Sequence, residues 1–121
     1  MKTILVAEDR ESSRELIRTM LEHCGYSVIE AANGAEAISL AREKSPDLVL
    51  LDLHMPIKDG FEVLADLRAD PHFQSIPIVA LTASAMQEDT ERGSKNGFTA
   101  YLTKPLSFST LRKELSRLLP E

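Results

Sequence analysis

Five residues could carry the chemistry of this 121-residue chain. Glu8 and Asp9 end the stretch ILVAED, Asp52 ends DLVLLD, Thr82 ends PIVALT and Lys104 follows AYLT. A carboxylate that closes an apolar run is costly unless it is paired, bound to a metal or used in chemistry. Three carboxylates in one pocket also repel: at ~4 Å a like-charge pair costs about 4 kcal/mol with an effective dielectric near 20. Lys104 supplies one positive charge, and a divalent cation is the natural second. All-oxygen ligands suit Mg2+, which keeps several waters and takes a few carboxylates together with a phosphate. Carboxylate, cation, lysine and hydroxyl are the parts used in phosphoryl transfer, which asks mainly for positioning and for neutralising the oxygens of the moving group. Asp52 would be the nucleophile.

These residues meet only if the chain brings them to one place. Five apolar, β-prone segments recur, TILVA (3–7), YSVIEA (26–31), DLVLL (47–51), IPIVAL (76–81) and AYL (100–102), with helical periodicity between them. In the first helix Leu16, Ile17, Met20, Leu21 and Cys24 share a face; Ser12 and Glu15 have capping-box spacing, and Gly25 suits the stop. The second helix begins near Asn33 and the third at Asp59-Gly60, burying Phe61, Leu64 and Leu67. The last carries Leu111, Leu115, Leu118 and Leu119. The fourth, MQEDTERGSKNG (86–97), offers only Met86 and small residues as an apolar face, which predicts a short, loosely anchored helix. Strands 1, 3 and 4 read as continuous apolar runs, so the pattern predicts an α/β fold, a parallel sheet covered by helices on both faces.

In a parallel sheet the carboxyl ends of the strands share one edge, and ligands bind there at the point where strand order reverses. If the order is 2-1-3-4-5, the reversal falls between strands 1 and 3, beside Glu8, Asp9 and Asp52. Singly, each residue has an ordinary reading: an acidic pair caps a helix or lines a solvated loop, a Lys-Pro makes a turn. Those readings leave the placement of all five at one edge unexplained.

Composition narrows the remainder. The length fits one domain over residues 1–121, and 43% hydrophobic residues suffice for a core. Net charge is −5 with scattered Lys and Arg, which argues against direct nucleic-acid binding. No apolar run approaches the ~18 residues of a membrane span, and MKTILVAEDR turns acidic too early for a signal peptide. A lone cysteine, Cys24, fits a reduced, cytoplasmic setting.

Over essentially its whole length the sequence resembles the response-regulator receiver domains of two-component signalling. ILVAED (4–9), DLVLLDLHMPIKDG (47–60), PIVALTASA (77–85) and AYLTKP (100–105) carry the likeness, in the right order and at compatible spacing. The resemblance implies a (βα)5 flavodoxin-like, doubly wound sheet of order 2-1-3-4-5. It implies that Asp52 accepts a phosphoryl group from a phosphohistidine on a sensor histidine kinase or histidine phosphotransfer protein. Glu8, Asp9, Asp52 and the backbone carbonyl of His54 would hold Mg2+. Lys104 would pair with Asp52 at rest and with a phosphoryl oxygen afterwards; Thr82 would bond another, and Tyr101 would turn inward as Thr82 moves. The Lys104–Pro105 bond would be cis. The face formed by the fourth helix, fifth strand and fifth helix would meet a downstream protein, and a phosphorylation-dependent dimer is compatible with it. The His54 side chain reads either as an overhang on the phosphoryl group or as an exposed loop histidine.

On this reading the protein is a signalling switch that catalyses only its own phosphorylation and dephosphorylation. Two rivals stand beside it: a small Mg2+-dependent phosphatase with Asp52 as nucleophile, and a protein-binding module that takes no phosphate. The first needs a general acid and a substrate-enclosing cap, for which little chain remains. Retention of all five polar residues counts against the second. ALTASAMQED (80–89) is similar both to receivers of hybrid kinases and to stand-alone regulators; with LLPE (118–121) closing the sequence without a DNA-binding segment, the expectation is either a stand-alone receiver or one cut from a longer protein.

Overall fold

A computed structural model of the chain describes residues 1–83 and 97–119. β1 (Thr3–Ala7), β2 (Ser27–Ala31), β3 (Leu48–Asp52), β4 (Ile78–Thr82) and β5 (Ala100–Thr103) form one parallel sheet in the order β2-β1-β3-β4-β5. The three central strands are apolar along their length because both of their faces are covered. Residues of β1 from Ile4 onward, and all of β3 and β4, are buried.

Alternation along those strands divides the core in two. Leu5, Val49, Leu51, Ile78 and Ala80 face α2 (Gly34–Lys44) and α3 (Gly60–Arg68), which contribute Ala37, Ile38, Phe61 and Leu64. Ile4, Val6, Leu48, Leu50, Val79 and Leu81 face α1 (Glu11–His23) and the C-terminal helix (Phe108–Leu118), through Ile17, Leu21, Leu111 and Leu115. Burying each of these large side chains contributes about 1.5–3 kcal/mol.

Helix ends follow local chemistry. Asp59 and Glu62 form a capping box at α3 (3.0 and 3.1 Å), and Asn33 caps α2 through the Glu36 N–H at 2.8 Å. Gly25, at φ +90°, closes α1: its N–H reaches the Glu22 carbonyl and that of Tyr26 reaches Leu21, a double bond pair that needs a left-handed residue. The start of α1 differs from the expected Ser12–Glu15 box. The helix begins at Glu11 with Arg10 as an N-cap that makes no side-chain bond. Arg10 leaves β1 already in the extended conformation a cap requires, so Ser12 falls inside the helix. Of the expected apolar face, Ile17 and Leu21 are buried, whereas Leu16 is 57% exposed. The helix expected over 86–97 lies outside the described residues, apart from its final Gly97.

Candidate functional site

The carboxyl ends of β1, β3 and β4 bring the polar residues to one edge. Glu8 follows β1 with its backbone N–H on the Ala31 carbonyl (3.1 Å); Asp52 is the last residue of β3 and Thr82 the last of β4. Register places Asp52 opposite Leu81, one residue before Thr82, and Thr82 opposite Thr103. Lys104 follows β5, tied by its N–H to the Thr82 carbonyl at 2.7 Å, and the Lys104–Pro105 peptide is cis.

Glu8, Asp52 and Thr82 are the buried polar residues among those described, at 0%, 6% and 2% exposure. A buried carboxylate needs partners, and both acids have them. The Lys104 ammonium is shared between Glu8 Oε2 and Asp52 Oδ2, the latter at 3.0 Å. The His54 N–H donates to Asp52 Oδ1 at 3.0 Å, while the His54 side chain is exposed. Arg10 N–H donates to Glu8 Oε1 at 3.3 Å. Asp9 is exposed, yet one oxygen each from Glu8, Asp9 and Asp52 lie within 4.8 Å of one another.

Electrostatics follow from the burial. Loss of water pushes the Glu8 carboxyl above its ordinary value of 4.5, and the charge of Asp52 adds to the push; the Lys104 hydrogen bond only partly offsets it. Burial alone would lower the Lys104 ammonium, but its hydrogen bonds to Glu8 and Asp52 and their charge hold it above 10.5. Three carboxylates against one ammonium leave a formal charge of −2. An oxygen-only donor set with that charge fits a hard divalent cation such as Mg2+. Ligand oxygens on Mg2+ lie at most about 4.2 Å apart, so the trio is near that spacing before any adjustment.

Arg14, on α1, was not among the residues singled out by type and spacing. Its Nη1 donates to the Glu8 carbonyl at 2.9 Å and its Nε to Glu30 Oε1 at 3.2 Å; Glu30 Oε2 accepts from Arg18 at 3.1 Å. Glycines set the loop after Asp52. A Cβ on Gly60 would lie 2.7 Å from the Asp52 carbonyl oxygen and 2.9 Å from Leu53 Cα, and one on Gly34 would lie 2.0 Å from the Lys58 carbonyl oxygen. Within that loop Ile57, 73% exposed, sits at φ +72°.

A parallel sheet of this order with an acidic cluster at its switch point defines a class, and comparison with known proteins agrees. Residues 4–116 match the response regulator receiver domain, so the chain belongs to that family, the receivers of two-component systems. It is 42% identical over 106 residues to the polar-differentiation response regulator DivK of Brucella anthropi, covering 88% of this chain and 86% of that protein. Among solved structures, the chemotaxis protein CheY4 of Vibrio cholerae superposes with a TM-score of 0.94 at 34% identity, covering 98% of this chain and 99% of that one. The receiver domain of the sensor histidine kinase PA1611 of Pseudomonas aeruginosa, with a magnesium ion coordinated in its active-site cleft, superposes at 0.92 with 33% identity, covering 99% and 98%. Among the described residues no helix is long and apolar enough to cross a membrane.

Proposed function

We propose that the chain, as a single receiver domain over residues 1–121, is a phosphorylation-dependent switch in which Asp52 takes a phosphoryl group from a phosphohistidine of a partner kinase or phosphotransfer protein. The observation that carries the reading is Asp52 itself: a buried carboxylate at a sheet edge, held by Lys104 and the His54 N–H, with Glu8 and Asp9 within reach of one cation. Glu8, Asp9, Asp52 and the His54 carbonyl would hold Mg2+, which neutralises phosphoryl oxygens when bound. A carboxylate oxygen of Asp52 attacks phosphorus, the N–P bond breaks, and its electron pair returns to the imidazole, which takes a proton from solvent. Hydrolysis restores the carboxylate and releases inorganic phosphate.

Phosphorylation puts a group of roughly −1.5 to −2 where one negative charge stood. Lys104 follows that charge from Glu8 to a phosphoryl oxygen, and the Thr82 hydroxyl donates to another. Tyr101 lies on the same face of the sheet as Thr82, opposite Ala80, and turns inward as Thr82 moves. The signal leaves through the face that includes β5 and the C-terminal helix, toward a downstream protein. The protein acts on its own aspartate and turns over no external substrate.

Intact mass after incubation with acetyl phosphate tests this. The expected result is one phosphoryl adduct that requires Mg2+ and is absent from Asp52→Asn. A folded protein that takes no adduct in any condition overturns the proposal.

A further inference from the structure

Tyr101 is one of two tyrosines in a chain without tryptophan, and its ring has a defined neighbour. Phe98 meets it edge to face, with centroids 5.7 Å apart and planes at 60°. Phe98 is buried and meets Phe61 in the same manner, at 5.8 Å and 72°. Such geometries align the positive edge of one ring with the negative face of the next. Opposite Tyr101 on β4 stands Ala80, whose methyl leaves room for the ring on that face.

Phe98 is braced from both sides along the chain. Before it, Gly97, at φ +99°, accepts through its carbonyl from Arg68 Nε and Nη2 at 3.3 and 3.0 Å. After it, the Thr99 N–H donates to the Ile78 carbonyl at 2.8 Å, and Thr99 Oγ1 accepts from the Ile78 N–H at 3.0 Å. The far wall is equally tied down. Phe61 follows Gly60, which packs on the backbone of Asp52 and Leu53 too closely for any Cβ.

We propose that Phe98 is a positioning residue for Tyr101. Its ring, backed by Phe61, is the seat on which the tyrosine rests while Lys104 is shared between Glu8 and Asp52. The inference rests on reading Thr82 and Tyr101 as the switch pair. When Thr82 is drawn to a phosphoryl oxygen, Tyr101 leaves the seat, so the ring contact sets how readily the switch is thrown. A contact of this kind changes such an equilibrium roughly two- to tenfold.

The test uses protein labelled with 3-fluorotyrosine in a Tyr26→Phe background, where Tyr101 gives the single fluorotyrosine resonance, read apart from the fluorines of the probe. Beryllofluoride with Mg2+ stands in for the phosphoryl group. Phe98→Leu keeps an apolar side chain and removes the ring. The two proteins are expected to differ in resonance without the probe and to coincide with it bound, because Tyr101 has then left residue 98. Phe98→Leu is also expected to bind beryllofluoride roughly two- to tenfold more tightly, since its resting state has lost a contact. Bound resonances that still differ, or an unchanged affinity, overturn the seat. If Phe98→Leu does not fold, Phe98→Met is held to the same two criteria. A parent resonance that does not move with beryllofluoride instead refutes the switch pair itself, a distinguishable failure.

Discussion

Replacing Lys104 by Met keeps the aliphatic stem and removes the charge, leaving Glu8 and Asp52 facing each other. Breaking a buried ion pair by deleting one partner costs about 3–5 kcal/mol. One feature of this site sets the value at the lower end: the Lys104 side chain is 24% exposed. Its removal leaves two carboxylates with oxygens within 4.8 Å and no counter-charge, where like charges repel by about 3.5 kcal/mol at an effective dielectric near 20. The protein also has an escape: Glu8, already above 4.5, can take up a proton. Holding that proton at pH 7 costs at most about 3.4 kcal/mol, and at pH 5 about 0.7 kcal/mol. Urea unfolding in metal-free buffer should therefore show a loss of about 2–3 kcal/mol at pH 7 that shrinks below about 1 kcal/mol at pH 5. Mg2+ at a hundred times its Kd adds about 2.7 kcal/mol to any folded state that binds it. The variant, freed of the competing ammonium, should bind the ion more tightly and regain more than the wild type does. A loss under 1 kcal/mol at pH 7, or the same loss at both pH values, refutes the electrostatic account.

Ile57→Asn should raise stability by about 1 kcal/mol, because a β-branched residue in the left-handed region costs about 1–2 kcal/mol and an exposed one gives up little burial; thermal unfolding that shows no gain removes the strain argument. Glu8 titrates above 4.5 when folded, so the stability its proton confers is complete below the unfolded value and is lost as pH rises through the folded one. Glu8→Gln, which cannot titrate, should thus gain on the metal-free wild type between pH 4 and 7, and a constant difference across that window would contradict the raised value. Arg14→Gln should weaken Mg2+ binding about tenfold by calorimetry while the fold persists, since it frees the Glu8 carbonyl from its anchor; equal affinities would assign Arg14 to the surface alone. Asp59→Ala removes the side-chain half of the α3 capping box and should cost about 1 kcal/mol in urea, against a null result if the loop alone sets the helix start.

Much of the site was legible because its residues break a pattern. Asp52 ends a run that periodicity marks as buried, Thr82 ends its own strand and Lys104 follows the last one, so topology carries them to one edge. The strands were equally readable, since parallel central strands are apolar on both faces. What escaped notice has a common cause: residues whose role lies in tertiary contacts that no spacing encodes. Arg14 stands among the charges of α1 and looks like any solvated residue until Glu30 and the Glu8 carbonyl are beside it. Glu30 offered a signal, a charge within YSVIEA, of the same kind as Asp52. Phe98 precedes Tyr101 by three residues, yet nothing in that spacing shows that its ring lies between those of Phe61 and Tyr101. Ser12 misled for a local reason, since the helix starts at Glu11 and carries it inside; Leu16 misled because it lies about 100° round the helix from the buried Ile17, at the margin of the apolar face.

Gly34 and Gly60 have a consequence for anyone who wishes to engineer this chain. Exchanging glycine for alanine inside a helix is ordinarily a reliable route to a tougher protein, worth roughly 0.5–1 kcal/mol. Here both positions are closed to it, because the missing methyl groups are the space in which the loop behind Asp52 lies. α2 lends no side chain to the acidic cluster, yet its first residue limits where that loop can go. A thermostabilised variant made by surveying helices for glycine would press on the loop behind Asp52 from two directions at once. Tolerance to substitution in α2 and α3 is therefore set at their first residues by the site and elsewhere by the core.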